Sequence, residues 1–259
     1  MSTAAGRVTF LGSGTSHGVP MIGCHCAVCQ SPDERDRRSR PSIYLQFADG
    51  TSVLVDTTPD LRTQALRFGV ERVDAILFTH CHADHVMGLD DVRRFNVIQD
   101  GRPITCYGDD RTLDNLRRIF SYAFDAVDHG GGLPRIQFQS LDGPLLMGGQ
   151  EIVPVPVWHG PRLILGYRVG GFAYLTDCNG IPDTSWPLLD TLDTLVIDAV
   201  RHRPHGTHFN VAGALGVIER LAPRRAYLTH ICHDLPHAAT NAQLPPGVEL
   251  AYDGLVLEI

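Results

Sequence analysis

The sequence predicts an α/β protein in which two mixed β-sheets are covered by helices. Three observations lead there. Strand-like apolar runs outnumber helical stripes, hairpin-like spacings join some of the runs, and helical periodicity fills gaps between others. The runs lie at 8–11, 43–47, 53–55, 73–78, 152–157, 173–175, 195–197 and 226–228. Hairpin spacing occurs from Phe47 to Thr51 around Asp49-Gly50, and from Val169 to Phe172 around Gly170-Gly171. Leu61, Ala65 and Leu66 follow Thr58 and Pro59, which read as an N-cap and a first-turn proline, with Gly69 as the stop. Leu113, Leu116, Ile119, Phe120 and Phe124 form a second helical face, and Val211, Leu215, Ile218 and Leu221 a third.

Composition narrows the class. A chain of 259 residues can bury most of its apolar surface as one α/β domain without a disulfide scaffold. No linker or composition break divides it, so residues 1–259 read as a single domain with a Cys-rich loop at about 22–30. The net charge of −7, from 22 basic and 29 acidic residues, lacks the broad basic footprint that nucleic acid demands. Residues 1–10 lack a signal-type apolar segment, and no run of about 18 apolar residues occurs, so the cytoplasm is expected and a membrane is not. Seven cysteines are an odd number, and three crowd at Cys24, Cys26 and Cys29. In an unexported protein that crowding points to a metal rather than to disulfides.

Four strand-like runs end on a residue able to ligate a metal: His80 after Phe78-Thr79, His159 after Trp158, Asp177 after Thr176 and His230 after Thr229. Rigid sheets present ligand sites at such ends. The Thr shared by three of the four reads as the trace of an internal pseudo-repeat.

The densest signal is His80-Cys81-His82-Ala83-Asp84-His85. In extended backbone, positions 80 and 82 point the same way and can grip one ion. Asp84 and His85 follow where the chain turns toward a helix starting near Val86, and can face a second. Imidazole and carboxylate suit zinc, manganese and iron. The remote residues His159, Asp177 and His230 would complete the shells, Asp177 bridging with its two oxygens.

This signature resembles the metallo-β-lactamase superfamily from Phe10 to the final strand. The resemblance implies an αβ/βα sandwich with a dinuclear site along one edge. It implies His80, His82 and His159 on the first metal, Asp84, His85 and His230 on the second, and Asp177 between them. Asp84 would be catalytic as well as a ligand. Asp56, at the end of Val53-Leu54-Val55-Asp56, would orient a ligand from behind.

The thiolates Cys24, Cys26 and Cys29 can share one tetrahedral zinc and leave it one ligand short. His233 is the expected fourth ligand, with Cys232 as the alternative and His25 disfavoured by strain. With the loop Gly12-Ser13-Gly14-Thr15-Ser16 and the helix start Thr207-His208-Phe209-Asn210, this pattern is similar to the phosphoribosyl 1,2-cyclic phosphate phosphodiesterases of bacterial phosphonate breakdown. A related cysteine pattern occurs in a pyrroloquinoline quinone biosynthesis protein. Ser16-His17-Gly18 and the His- and Arg-rich stretch from Asp198 to His208 depart from the phosphodiesterase pattern. The Gly-rich loop reads either as a phosphate cradle or as a tight turn.

Two divalent ions, Mn or Zn or Fe, plus one structural Zn are therefore expected. Two ions about 3.5–4 Å apart can share a hydroxide as nucleophile. A leaving alkoxide still needs a proton, and His208, matching the family's unligated His, is the expected general acid. Arg201 and Arg203 are candidates for holding a substrate phosphate, or are a solvated basic loop. The expected function is hydrolysis of a small cyclic or sugar-linked phosphodiester, and the expected partner is that small molecule, alone or with a second copy of the chain as a homodimer. The rival readings are a tRNA 3′-processing endonuclease, a di-iron redox protein and a non-catalytic metal or cofactor carrier.

Overall fold

The computed structural model describes residues 6–124 and 132–259. The first half of the 1–10 segment lies outside that range, and so does the stretch 125–131 of the single-domain reading. Six strands come first: β1 (Gly6–Gly12), β2 (Ser42–Phe47), β3 (Ser52–Val55), β4 (Ala75–Leu77), β5 (Ile104–Gly108) and β6 (Ile136–Ser140). Then come β7 (Leu145–Met147), β8 (Gln150–His159), β9 (Arg162–Val169), β10 (Phe172–Leu175), β11 (Thr194–Asp198), β12 (Arg225–Thr229) and β13 (Val248–Leu250). A last strand, β14 (Val256–Glu258), returns to lie beside β1.

The strands form two seven-stranded mixed sheets, ordered β14-β1-β2-β3-β4-β5-β6 and β7-β8-β9-β10-β11-β12-β13. Each sheet has three antiparallel pairings followed by three parallel ones. This shared order does not relate the members of the Thr-ligand pattern, because Thr176 follows β10 and Thr229 ends β12 in one sheet, whereas β4, which precedes Thr79, matches β11. In that correspondence β3, which ends before Asp56, matches β10, which ends before Asp177.

Strand alternation separates the cores. Phe10, Val53, Val55 and Leu77 face Tyr167, Phe172, Tyr174 and Val196 across the space between the sheets. Their neighbours Leu11, Leu54 and Ile76 point outward, against α1 (Leu61–Phe68) and α4 (Asp110–Ile119). On the other outer face Leu175, Leu195, Ile197 and Leu228 pack on α5 (Val211–Leu221). The layers run helix, sheet, sheet, helix, the expected αβ/βα sandwich. Removing a side chain such as Leu54, fully buried, would cost about 2–5 kcal/mol.

Several local expectations are corrected. The first helix begins at Leu61 after Asp60, because the Thr58 hydroxyl accepts the Asp60 N–H in a tight turn rather than capping a helix. Its stop is as expected, with Gly69 in the left-handed region at φ 66°. The helix α4 is capped by Asp109, which accepts from Thr112 N at 2.7 Å, and it ends before Phe124. Leu113, Leu116 and Phe120 are buried, whereas Ile119 and Phe124 keep 40% and 42% of their surface exposed. In α5 the buried stripe is Val211, Ala214 and Val217, with Leu215, Ile218 and Leu221 only half-buried.

Candidate metal centre and acid–base pair

Ten side chains converge where strand ends of both sheets meet. The first sheet supplies Asp56 after β3, and His80, His82, Asp84 and His85 after β4. The second supplies His159 from β8, Asp177 after β10, Asp198 from β11, His208 before α5 and His230 after β12. Helix α2 (Ala83–Val86) starts three residues earlier than expected, so Asp84 and His85 sit on a helical turn rather than on its approach. That turn carries Asp84 and His85 inward, while His82 at the cap stays exposed at the mouth.

Two four-ligand sets lie within 4.8 Å internally, His80, His82, His159 and Asp177 in one, and Asp84, His85, Asp177 and His230 in the other. Asp177 divides its oxygens between them. Oδ1 lies 3.2 Å from His85 Nε2 and 3.0 Å from His230 Nε2, and Oδ2 lies 3.8 Å from His80 Nε2.

Behind the sets, a buried network fixes the rings. His85 Nδ1 donates to Asp56 Oδ2 at 2.7 Å, and His159 Nδ1 donates to the Thr207 carbonyl at 2.9 Å. Thr79 donates its N–H to Asp56 Oδ1 and its hydroxyl to Oδ2, leaving its oxygen to accept from His80 Nδ1 at 3.0 Å. A ring whose Nδ1 carries the hydrogen turns the Nε2 lone pair toward the centre. His80 Nε2, His85 Nε2 and both nitrogens of His230 are buried without a hydrogen-bond partner. Buried orphaned lone pairs are costly, and a cation satisfies them. The donor set thus fits two divalent ions.

The electrostatics agree. Burial would lower His85, but Asp177, Asp84 and Asp56 around it hold it well above its ordinary value, the mark of a place that favours positive charge. Burial would raise Asp177, yet His230, His85 and His80 pull it well below the usual carboxylate range. His80, His82 and His159 are lowered, chiefly by burial, and so are kept as neutral ligands.

Backbone conformation also shapes the centre. Asp56, Asp177 and His230 sit at φ 63°, 55° and 58°, in the left-handed region. Each strand is turned sharply there, which aims the side chain across the sandwich edge.

His208 Nδ1 lies 2.7 Å from Asp198 Oδ2, and its ring stacks on His230 at 4.7 Å and 13°. Sequence reasoning singled out His208 but missed Asp198 as its partner. The signal was available, because Asp198 ends a buried strand as the other site residues do. Burial raises the Asp198 carboxyl well above its usual range and lowers His208. Both shifts favour an uncharged pair, which holds the same protons whichever partner carries the shared one.

A second cluster lies apart. Cys24, Cys26 and Cys29 place their sulfurs 3.2, 3.5 and 3.6 Å from His233 Nδ1. A tetrahedral zinc with bonds of about 2.3 Å to sulfur and 2.0 Å to nitrogen spans ligand edges of roughly 3.5 Å, so the residues fit it. The Cys29 N–H donates to Cys26 Sγ, which lowers that thiol to about 7, whereas burial raises Cys29 to about 11. Cys232 points elsewhere, accepting from Asp234 N, and His25 is exposed. The Gly-rich loop is not a phosphate cradle: Ser13 N is bound by Asp253, Gly14 N by the Ser39 carbonyl and Thr15 N by the Ile231 carbonyl, leaving none of these donors for a phosphate, and the chain stays extended to Gly14 before turning at Thr15–Gly18.

The family model for a beta-lactamase superfamily domain matches residues 51–231. The chain belongs to the beta-lactamase superfamily. Among solved structures it is similar to a diphosphatase from the PhnP family, at 47% identity and a TM-score of 0.91, with 98% of each chain covered. An octanoyltransferase of Porphyromonas gingivalis is 36% identical over 253 residues, 96% of this chain and 51% of that protein. A coenzyme PQQ synthesis protein B of Xanthomonas oryzae is 30% identical over 213 residues, 77% of this chain and 64% of that protein. The chain thus spans about half of the first of these two relatives and under two thirds of the second. No described helix is long and apolar enough to cross a membrane.

Proposed function

We propose that the chain is a two-metal phosphodiesterase cleaving a small cyclic or sugar-linked phosphodiester, with phosphoribosyl 1,2-cyclic phosphate or a relative as substrate. The observation that carries this reading is the His208–Asp198 pair set against two ligand groups that share Asp177. Two divalent ions held by those ligands, Mn or Zn or Fe, would activate a water and polarise a phosphoryl oxygen. The residues then divide the remaining work. Asp177 and Asp84 keep the centre anionic, and Asp56 fixes His85. His208 gives its Nε2 proton to the departing alkoxide while its Nδ1 is held by, or recovers a proton from, Asp198. The thiolate cluster, with its zinc, ties the 24–29 loop to the segment just after His230 and has no part in the chemistry.

The related diphosphatase suggests a second reading, cleavage of a phosphoric anhydride. A phosphate leaving group is already acidic and needs no proton donor, so a buried acid–base pair favours the ester. The octanoyltransferase name describes a protein twice as long, and this chain has no lysine and no cysteine among the two ligand groups to carry an acyl group. The decisive experiment compares metal-loaded protein on bis-nitrophenyl phosphate, ribose 1,2-cyclic phosphate 5-phosphate, 2′,3′-cyclic nucleotides and a dinucleoside diphosphate. Fastest turnover of the sugar cyclic ester is expected. Turnover of the anhydride alone would replace this reading with the second, and turnover of none would leave a metal carrier.

A further inference from the structure

The loop between β11 and α5 stands out in a chain of net charge −7. From Ala199 to Asn210 it carries two arginines and three histidines and no acidic residue. A merely solvated basic loop would leave its cationic heads free, and this one does not. Arg201 donates Nε to the Arg203 carbonyl at 3.3 Å and Nη2 to the Pro204 carbonyl at 3.1 Å. Asn179 donates to the Gly206 carbonyl and Asn210 to the His202 carbonyl, both at 2.9 Å. Arg203 is accounted for separately, paired with Asp234 at 3.0 Å.

His205 is the informative member. Its Nδ1 accepts from the Thr207 N–H at 3.3 Å, with the Thr207 hydroxyl at the same distance. An acceptor at Nδ1 requires the hydrogen to sit on Nε2, so His205 presents a fixed N–H donor. Its ring centroid lies 4.8 Å from that of His208, and the residue is exposed at the mouth. The Nη1 of Arg201 makes no hydrogen bond within the described residues, while its Nε and Nη2 are held by the loop's own carbonyls. A guanidinium and an imidazole donor, both held by the backbone beside the proton donor, suit a compact oxyanion.

Resting on the phosphodiesterase reading, we propose that Arg201 and His205 form a subsite for a second phosphoryl group carried by the leaving-group half of the substrate. His208 faces the departing oxygen, so its loop neighbours face what is attached to that oxygen. His205 is a positioning residue here and takes no proton.

The test uses metal-loaded protein and two esters, 3-phosphopropyl methyl phosphate and 3-hydroxypropyl methyl phosphate. The native chain is expected to favour the phosphorylated ester about 10-fold or more in kcat/KM, the size of one hydrogen bond to a charged group. His205→Ala should collapse that preference mainly through KM, and His205→Gln, which keeps an N–H donor, should restore part of it. Calorimetric binding of propanediol monophosphate should weaken in step. Hydrolysis of bis-nitrophenyl phosphate with no preference between the two esters, or a preference unmoved in His205→Ala, overturns the subsite and leaves the phosphodiesterase reading intact. Absence of all ester turnover, with binding of the monophosphate still dependent on His205, keeps the subsite and overturns the reaction.

Discussion

His208 and Asp198 form a largely buried pair, Nδ1 to Oδ2 at 2.7 Å, directly beside the proposed metal ligand His230, on which the His208 ring stacks. The pair ties proton delivery to one ring. His208→Ala should lose about 10²–10⁴-fold in kcat on an alkyl or sugar phosphodiester and much less on bis-nitrophenyl phosphate, whose leaving group departs unaided. Asp198→Asn should fail along the same axis. Bound metal counted in the same preparations should be unchanged, and equal losses on both esters would return His208 to a ligand or structural role.

Chelation should separate the two clusters. The His/Asp centre opens at exposed His82, whereas Cys29 is buried in its own small apolar cluster with Val19 and Val28. Dialysis against a mild chelator is expected to abolish turnover while one zinc per chain remains and circular dichroism is unchanged, because thiolate sites contribute to folding itself. A fully folded chain without zinc would overturn the structural assignment.

Substitution should separate them as well. Cys26→Ala removes a thiolate 3.5 Å from His233 and should lower Tm and soluble yield far more than turnover per folded molecule. His82→Ala should leave Tm nearly unchanged and remove most of the activity. Measured on purified folded protein, equal losses of turnover in the two variants would mean that the clusters are not functionally distinct.

His237 offers a pH test at a residue that belongs to neither ligand cluster. Burial, with Arg35 and Arg38 beside it, lowers it to about 4, and its Nδ1 is buried without a partner. Between its ordinary value near 6.5 and 4 the unfolded chain binds a proton that the folded chain does not. Stability from this group is therefore full above about pH 6.5 and is lost as pH falls toward 4, by up to about 3 kcal/mol. Asp253, raised by burial to about 6, acts in the opposite sense over part of that range. The readout is accordingly the difference between native protein and His237→Gln in urea unfolding at pH 7, 5.5 and 4.5, where the variant should lose the slope.

Much of this was legible in the residues themselves. Strands buried on both faces, such as Val53–Val55 and Leu195–Ile197, announce themselves by unbroken apolar runs. Six of the strands in the described residues were not read. Two of them, Ile136–Ser140 and Val256–Glu258, alternate exposed and buried positions at sheet margins, and neither short pattern stands out from loop. His80 to His85 could be read because four ligand types fall within six residues. The Asp198 carboxyl could not be assigned in the same way, because its partner lies ten residues on and only the fold brings the two together. Likewise, the choice of His233 over Cys232 depends on which way each side chain leaves one loop.

The left-handed backbone at Asp56, Asp177 and His230 has a bearing on how this scaffold ages. Most L-residues pay roughly 1–2 kcal/mol to adopt that conformation, whereas Gly escapes it and Asn, Asp and His tolerate it best. Those three positions therefore pass through two independent sieves, one for chain geometry and one for lone pairs. A saturation library there, selected only for folding, is expected to return Asp, Asn, His and Gly and to shed Val, Ile and Thr. A descendant that had abandoned chemistry would go on spelling much of the same centre at those places. Decay would be written first at His80, His82, His85 and His159, where the backbone imposes no such alphabet.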